Sequence, residues 1–148
     1  MRTPEERARD ARRVEQALLG QLLPAHSERR HTKVVGVTHT NADGSSRQLA
    51  IEKMHQFDVV ELVRNPQDQW DANAIKVMAL LAEPGRRKKG EAHATSPEIR
   101  RIQIGHLDGE LARELALALD RGERWWAIAT RVGGPHTQGV SLMLCHLA

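Results

Sequence analysis

Apolar positions recur along this chain with two different spacings. In residues 1–24, Val14, Leu18, Leu22 and Leu23 form a narrow stripe at helical spacing on a charged background. Thr3 can cap such a helix, Pro4 suits its first turn, and Glu6 stands three residues after Thr3, the spacing of a capping box. Gly20 and Pro24 end it. Residues 25–32 are polar and read as a linker. From Lys33 the pattern changes: Val34, Val35 and Val37 mark a strand, and Asn41-Ala42-Asp43-Gly44 marks a turn. Leu49, Ala50, Met54 and Phe57 return to helical spacing and predict a short helix over 46–56. Residues 59–63 and 74–82 are apolar and β-branched, predicting two strands, and the second is continuous enough to be central in a sheet.

A further strand, 102–107, reads Ile-Gln-Ile-Gly-His-Leu. Asp108 can cap a helix with Leu111, Leu115, Ala118 and Leu119 on one face and Gly122 at its end. Residues 124–132 and 138–147 alternate as strands on either side of Gly133-Gly134-Pro135. Six strands with few crossover helices predict a mainly β (α+β) domain over 33–148. The expected architecture is a small OB-like or SH3-like six-stranded β-barrel with two short helices and an added N-terminal helix. Residues 83–101 interrupt it as a long basic insertion containing Arg86, Arg87, Lys88 and Lys89.

Composition adds bounds. At 148 residues, with 28% charged and 40% hydrophobic, the chain has the balance of one soluble globular domain with an appendage. No apolar run approaches the roughly 20 residues of a membrane span, so no membrane partner is expected. The amino terminus lacks the apolar stretch of a secretory signal. A single cysteine, Cys145, forbids an internal disulfide and fits a reducing, cytoplasmic setting. Net charge is only +3, but the 22 Arg and Lys residues cluster at 2–13, 29–33, 86–89, 100–101 and 121–131. Such clusters neutralise phosphates, with the solvated surface as the plain alternative.

The loop between the strands at 59–63 and 74–82 holds one large aromatic, Trp70, beside one carboxylate, Asp71. An indole in a loop either packs down as a lid or meets a flat ligand. Asp71 either caps loop N–H groups or contacts that ligand, and the two roles are compatible. Asn73 fits a loop-locking role better than base reading. Trp125 and Trp126 are consecutive, so they face opposite sides of a strand, one as core and the other as core, platform or dimer contact. The eight histidines show no metal-ligand spacing, so neither a metal nor another cofactor is expected. No phosphate loop, nucleophile motif or carboxylate pair on a helix face appears, and a binding module is favoured over an enzyme.

Three segments in order resemble the HIRAN domain. They are Lys33-Val34-Val35-Gly36-Val37, Leu62-Val63-Arg64-Asn65-Pro66 through Trp70-Asp71-Ala72-Asn73-Ala74-Ile75-Lys76-Val77, and Ile104-Gly105-His106-Leu107 followed by Glu110-Leu111-Ala112. That family of small OB-like barrels is found at the amino end of the helicase-like transcription factor and related fork-remodelling ATPases, and alone in many bacterial proteins. The resemblance implies a module that holds the 3′ end of single-stranded DNA. It implies that Trp70 stacks on a terminal base, Asp71 accepts from the 3′-hydroxyl, His106 lies near a phosphate, and His39 offers a second flat ring. Asp68 matches an Asn of some relatives. Two departures remove cations: Thr38 replaces an Arg, and Asp108-Gly109 replaces a Lys pair. Arg64, Arg86, Arg87, Lys88 and Lys89, with Arg100 and Arg101, are the candidates to compensate.

The expected partner is therefore single-stranded DNA with a free 3′-hydroxyl in repair or fork processing, with self-association through the N-terminal helix as an added possibility. The rivals are an adaptor that recruits a DNA-repair protein, and a metal-dependent nuclease using Asp68 and Asp71.

Overall fold

The computed structural model describes residues 3–6, 29–83 and 98–147. Its elements are β1 (Arg29–Lys33), α1 (Arg47–Glu52), β2 (Val59–Arg64), β3 (Ile75–Glu83), β4 (Glu98–His106), α2 (Gly109–Asp120), β5 (Arg124–Gly133) and β6 (Gly139–Leu147). The capping box forms as expected: Glu6 N–H donates to Thr3 Oγ1 at 3.1 Å, and Thr3 N–H donates to Glu6 Oε2 at 3.3 Å. The apolar stripe of the 1–24 segment, and the self-association drawn from it, lie outside the described residues. So do Arg86, Arg87, Lys88 and Lys89.

The six strands form one antiparallel sheet in the order β1-β6-β5-β2-β3-β4. The mainly β, OB-like expectation holds, but the ladder does not close into a barrel. β1 and β4 are its edges, and one isolated bridge links the segment just after β1 to the end of β4, where Val35 and His106 exchange N–H···O=C bonds of 2.9 Å in both directions. That bridge requires a glycine beside it. A Cβ on Gly105 would stand 2.3 Å from the Val35 carbonyl oxygen, closer than atoms can approach.

β1 begins earlier than its apolar pattern suggested. The strand at Arg29–Lys33 lies on residues read as linker and pairs with β6, while Val34 is core and Val35 is the bridge. A polar edge strand has no hydrophobic alternation to betray it. β4 likewise starts at Glu98, inside the stretch read as insertion.

β3 is flanked on both sides, and Ile75, Val77, Ala79 and Leu81 point into the core. β5 runs Trp125, Ala127 and Ala129 into that core, then shifts register between Ala129 and Arg131 so that Val132 packs inward. Trp126, Ile128, Met143, Cys145 and Phe57 make a small second cluster. Both tryptophans are therefore half-buried and packed, Trp125 also stacking on His146 with centroids 4.9 Å apart.

α1 is capped by Ser46, whose side chain accepts from Leu49 N–H at 3.2 Å. It ends at Glu52, short of the expected 56, and Phe57 follows at a positive φ of 73°. Leu49, expected inside, faces out, while Arg47 faces in. Asp108 stands at the N-cap of α2, but its carboxylate makes no capping bond. Among the described residues, no helix is long and apolar enough to cross a membrane.

Candidate nucleic-acid interface

The β2–β3 loop, the turn after Val35 and the end of β4 converge at the bridged end of the sheet. The loop is closed by Asn65 N–H donating to Ala74 O at 2.9 Å. Inside it, Asp68 Oδ1 accepts from both Trp70 N–H and Asp71 N–H at 2.9 Å, and Asn65 Nδ2 donates to Asp68 Oδ2 at 3.4 Å. Those two backbone donors, Trp70 first, hold the Asp68 carboxyl below its ordinary pKa. Asp68 is thus the loop's organiser.

The loop holds Trp70 in solvent. Its side chain is 87% exposed, so it is not a lid over the sheet. Asp71 Oδ1 accepts from Asn73 N–H at 2.8 Å, the loop-capping role, while its second oxygen makes no hydrogen bond among the described residues. A flat aromatic face beside a carboxylate oxygen with spare accepting capacity suits a base followed by a hydroxyl.

His106 lies on the other wall, opposite Lys76 in the β3–β4 ladder. Burial pushes its pKa below the ordinary value, the charges of Arg47, Lys76 and His39 push the same way, and Asp68 opposes them. Gln103 Nε2 sits 3.3 Å from His106 Nε2 and donates to Gly105 O at 3.2 Å. His39 and Thr38 are exposed on the turn that follows Gly36.

Arg64 was expected at phosphate, and the structure engages it elsewhere. Its Nε and Nη2 donate to Asp120 Oδ1 and Oδ2 at 3.1 and 3.2 Å, and its Nη1 to Ala72 O at 2.9 Å. It fastens the loop to the end of α2, and Asp120 is held below its usual carboxyl pKa by that guanidinium. Arg100 and Arg101 pair with Glu83 and Glu61. Among the described residues no cluster of three or more His, Cys, Asp or Glu could hold a metal ion, and Asp68 and Asp71 direct oxygens at their own loop.

Sequence reasoning missed Arg47, Lys76 and Gln103. Arg47 carried a readable signal: with Ala50, Ile51 and Met54 it completes a helical core face, all four being buried.

Comparison with known proteins bears on the fold and the family. No curated protein matches the chain. The crystal structure of the HIRAN domain of human HLTF is similar at 21% identity and a TM-score of 0.50, covering 80% of this chain and 74% of that one. A protein from Lactobacillus plantarum of known structure is similar at 20% identity and a TM-score of 0.56, covering 81% of this chain and 96% of that one. At such identities the likeness is one of fold. The sequence model of the HIRAN domain matches residues 32–133, spanning the turn, the Trp70 loop and the Gly105-His106 strand end. The chain belongs to the HIRAN family.

Proposed function

We propose that this protein is a binding module for single-stranded DNA that receives a free 3′-hydroxyl end, with a role in repair or fork processing. Membership of the HIRAN family supports nucleic-acid binding and a module rather than an enzyme. The observation that carries the finer reading is Trp70, 87% exposed on a loop fixed by its own hydrogen bonds. An indole left in water on a preorganised loop loses little entropy on binding and stacks on any base. Asp71 beside it is a liability toward a polyanion unless it accepts from a hydroxyl, and its second oxygen is free to do so.

The experiment compares anisotropy of strands ending in 3′-hydroxyl and 3′-phosphate. A 3′-phosphate removes the donor and sets like charges together, so the wild type should prefer the hydroxyl. Trp70→Ala should cost about 1–3 kcal/mol with either end. Asp71→Ala should cost about 1.5–3 kcal/mol with the hydroxyl end only. Indifference of the wild type to 3′ phosphorylation would overturn the end-binding reading and leave a general strand binder. Absence of binding to any oligonucleotide would overturn strand binding itself and favour the adaptor.

A further inference from the structure

Helix α1 turns an arginine inward. Arg47 is 8% exposed and shares the buried face of the helix with Ala50 and Ile51. Its Nε donates to Asn41 Oδ1 at 2.7 Å and its Nη1 to the Gly36 carbonyl at 2.8 Å. Both acceptors are neutral. None of the ion pairs among the described residues includes Arg47. Burial pushes its pKa down, and no carboxylate among the described residues opposes that. Asp68, the acid that acts on neighbouring His106, has one oxygen on two backbone N–H groups and the other within reach of Asn65. A buried cation without a counter-charge is strongly unfavourable unless an anion completes it.

The guanidinium is open at one edge. Among the described residues Nη2 makes no hydrogen bond, yet it is not sealed from solvent. Beside it the chain turns through Gly36 at φ +72°. A Cβ there would lie 3.2 Å from Arg47 Nη1 and 3.6 Å from His39 Cδ2, so glycine keeps the gap between ring and guanidinium clear. Val35, one residue earlier, bridges to His106, and Lys76 faces His106 across the ladder. Guanidinium, two imidazoles and an ammonium are thus gathered at the bridged end of the sheet, where the charges of Arg47, Lys76 and His39 all act on His106.

We propose, on the strand-binding reading above, that Arg47 is the buried cation of a phosphate site. Its free Nη2 edge takes a non-bridging oxygen of a backbone phosphate, with His39 and His106 on either side and the following base on Trp70. Arginine suits the task, since two of its five donors are spent on positioning it and the remainder form a rigid fork. The anion supplies the counter-charge that the described residues leave out.

Two measurements on the full chain test this. Inorganic phosphate is titrated into isotope-labelled protein, and resonances of Gly36, His39 and His106 are followed. They should shift saturably in the wild type and not in Arg47→Gln. Strand affinity is then measured against salt. Arg47→Gln should bind any strand about tenfold or more weakly, with a salt slope shallower by about one, and Arg47→Lys should recover the slope but only part of the affinity. Unmoved resonances in the wild type, or wild-type affinity and slope in Arg47→Gln, would overturn the site. If Arg47→Gln loses its fold, the wild-type phosphate titration decides alone. Phosphate shifts without oligonucleotide binding would uphold the anion site and sink the strand reading, while strand binding that ignores Arg47 would do the reverse.

Discussion

A single carboxylate sets up the candidate site. Asp68 accepts the N–H groups of Trp70 and Asp71 together, so it fixes both proposed contacts without making either. Asp68→Ala should leave global stability nearly unchanged, as expected of a residue that caps a surface loop. It should nonetheless weaken strand binding and speed amide exchange at Trp70 and Asp71. Unchanged exchange there would show that the loop is held by other means. His106 gives a pH signature. Burial, then Arg47, holds its native pKa below the ordinary value near 6.5. Between those two values the unfolded chain binds the extra proton, so His106 costs stability as pH falls through that window and nothing above it. Chemical denaturation of the wild type and His106→Gln from about pH 7 to about pH 5 should show the variant losing less stability. Equal losses would remove His106 from the linkage. Trp70, Asp71 and His106 could be picked out as candidates because a loop aromatic, a neighbouring acid and a Gly-His strand end stand out in sequence, and the fold brings their segments to the same end of the sheet. For Arg47 only the burial was legible, from its place on the helical core face with Ala50 and Ile51; its lack of a counter-charge depends on what fails to lie near it in the fold.

At the scale of elements, the β2–β3 loop works as a rigid arm fastened at both ends. Asn65 and Ala74 close its base, and Arg64 ties it to Asp120 at the end of α2. Arg64→Ala therefore separates two roles. A residue that positions the loop should, when removed, weaken binding with an unchanged salt slope and raise exchange across residues 65–74. A residue on phosphate should flatten the slope by about one. The geometry favours the first outcome, and a flattened slope would return Arg64 to the list of ligand contacts. Elements with strong alternation, β2, β3, β5 and β6, were readable to within a residue or two of each end. Those that failed are informative. β5 keeps its alternation only to Ala129, where the register shift changes which parity faces the core. α1 stops early because its buried face is only two turns long and Phe57 must take a positive φ, its N–H donating to Ala129 O at 2.6 Å.

For the whole molecule, one polar strand decides where the domain begins. β1 reads Arg-Arg-His-Thr-Lys and looks like linker, yet it pairs with β6 over five residues, Arg29↔Cys145 through Lys33↔Ser141. Its Arg30 also pairs with Glu114 of α2, so it ties the sheet edge to the helix. Beyond it the chain passes directly into Val34 of the core and the Val35–His106 bridge to the end of β4. Without β1, the backbone donors and acceptors of β6 would be left as an open edge beside Leu142 and Leu144, a template for pairing with other chains. All described members of the main core lie at or after Val34, so a chain beginning at Arg29 should keep the wild-type fold and melting temperature. One beginning at Val34 should melt lower and self-associate, even though it retains every residue of the candidate site and nearly all of the matched family segment. Thermal melts and sedimentation of the two chains check this. Equal behaviour would show that β1 is decoration on a sheet complete without it, and unfolding of both would place part of the core in the segment before Arg29.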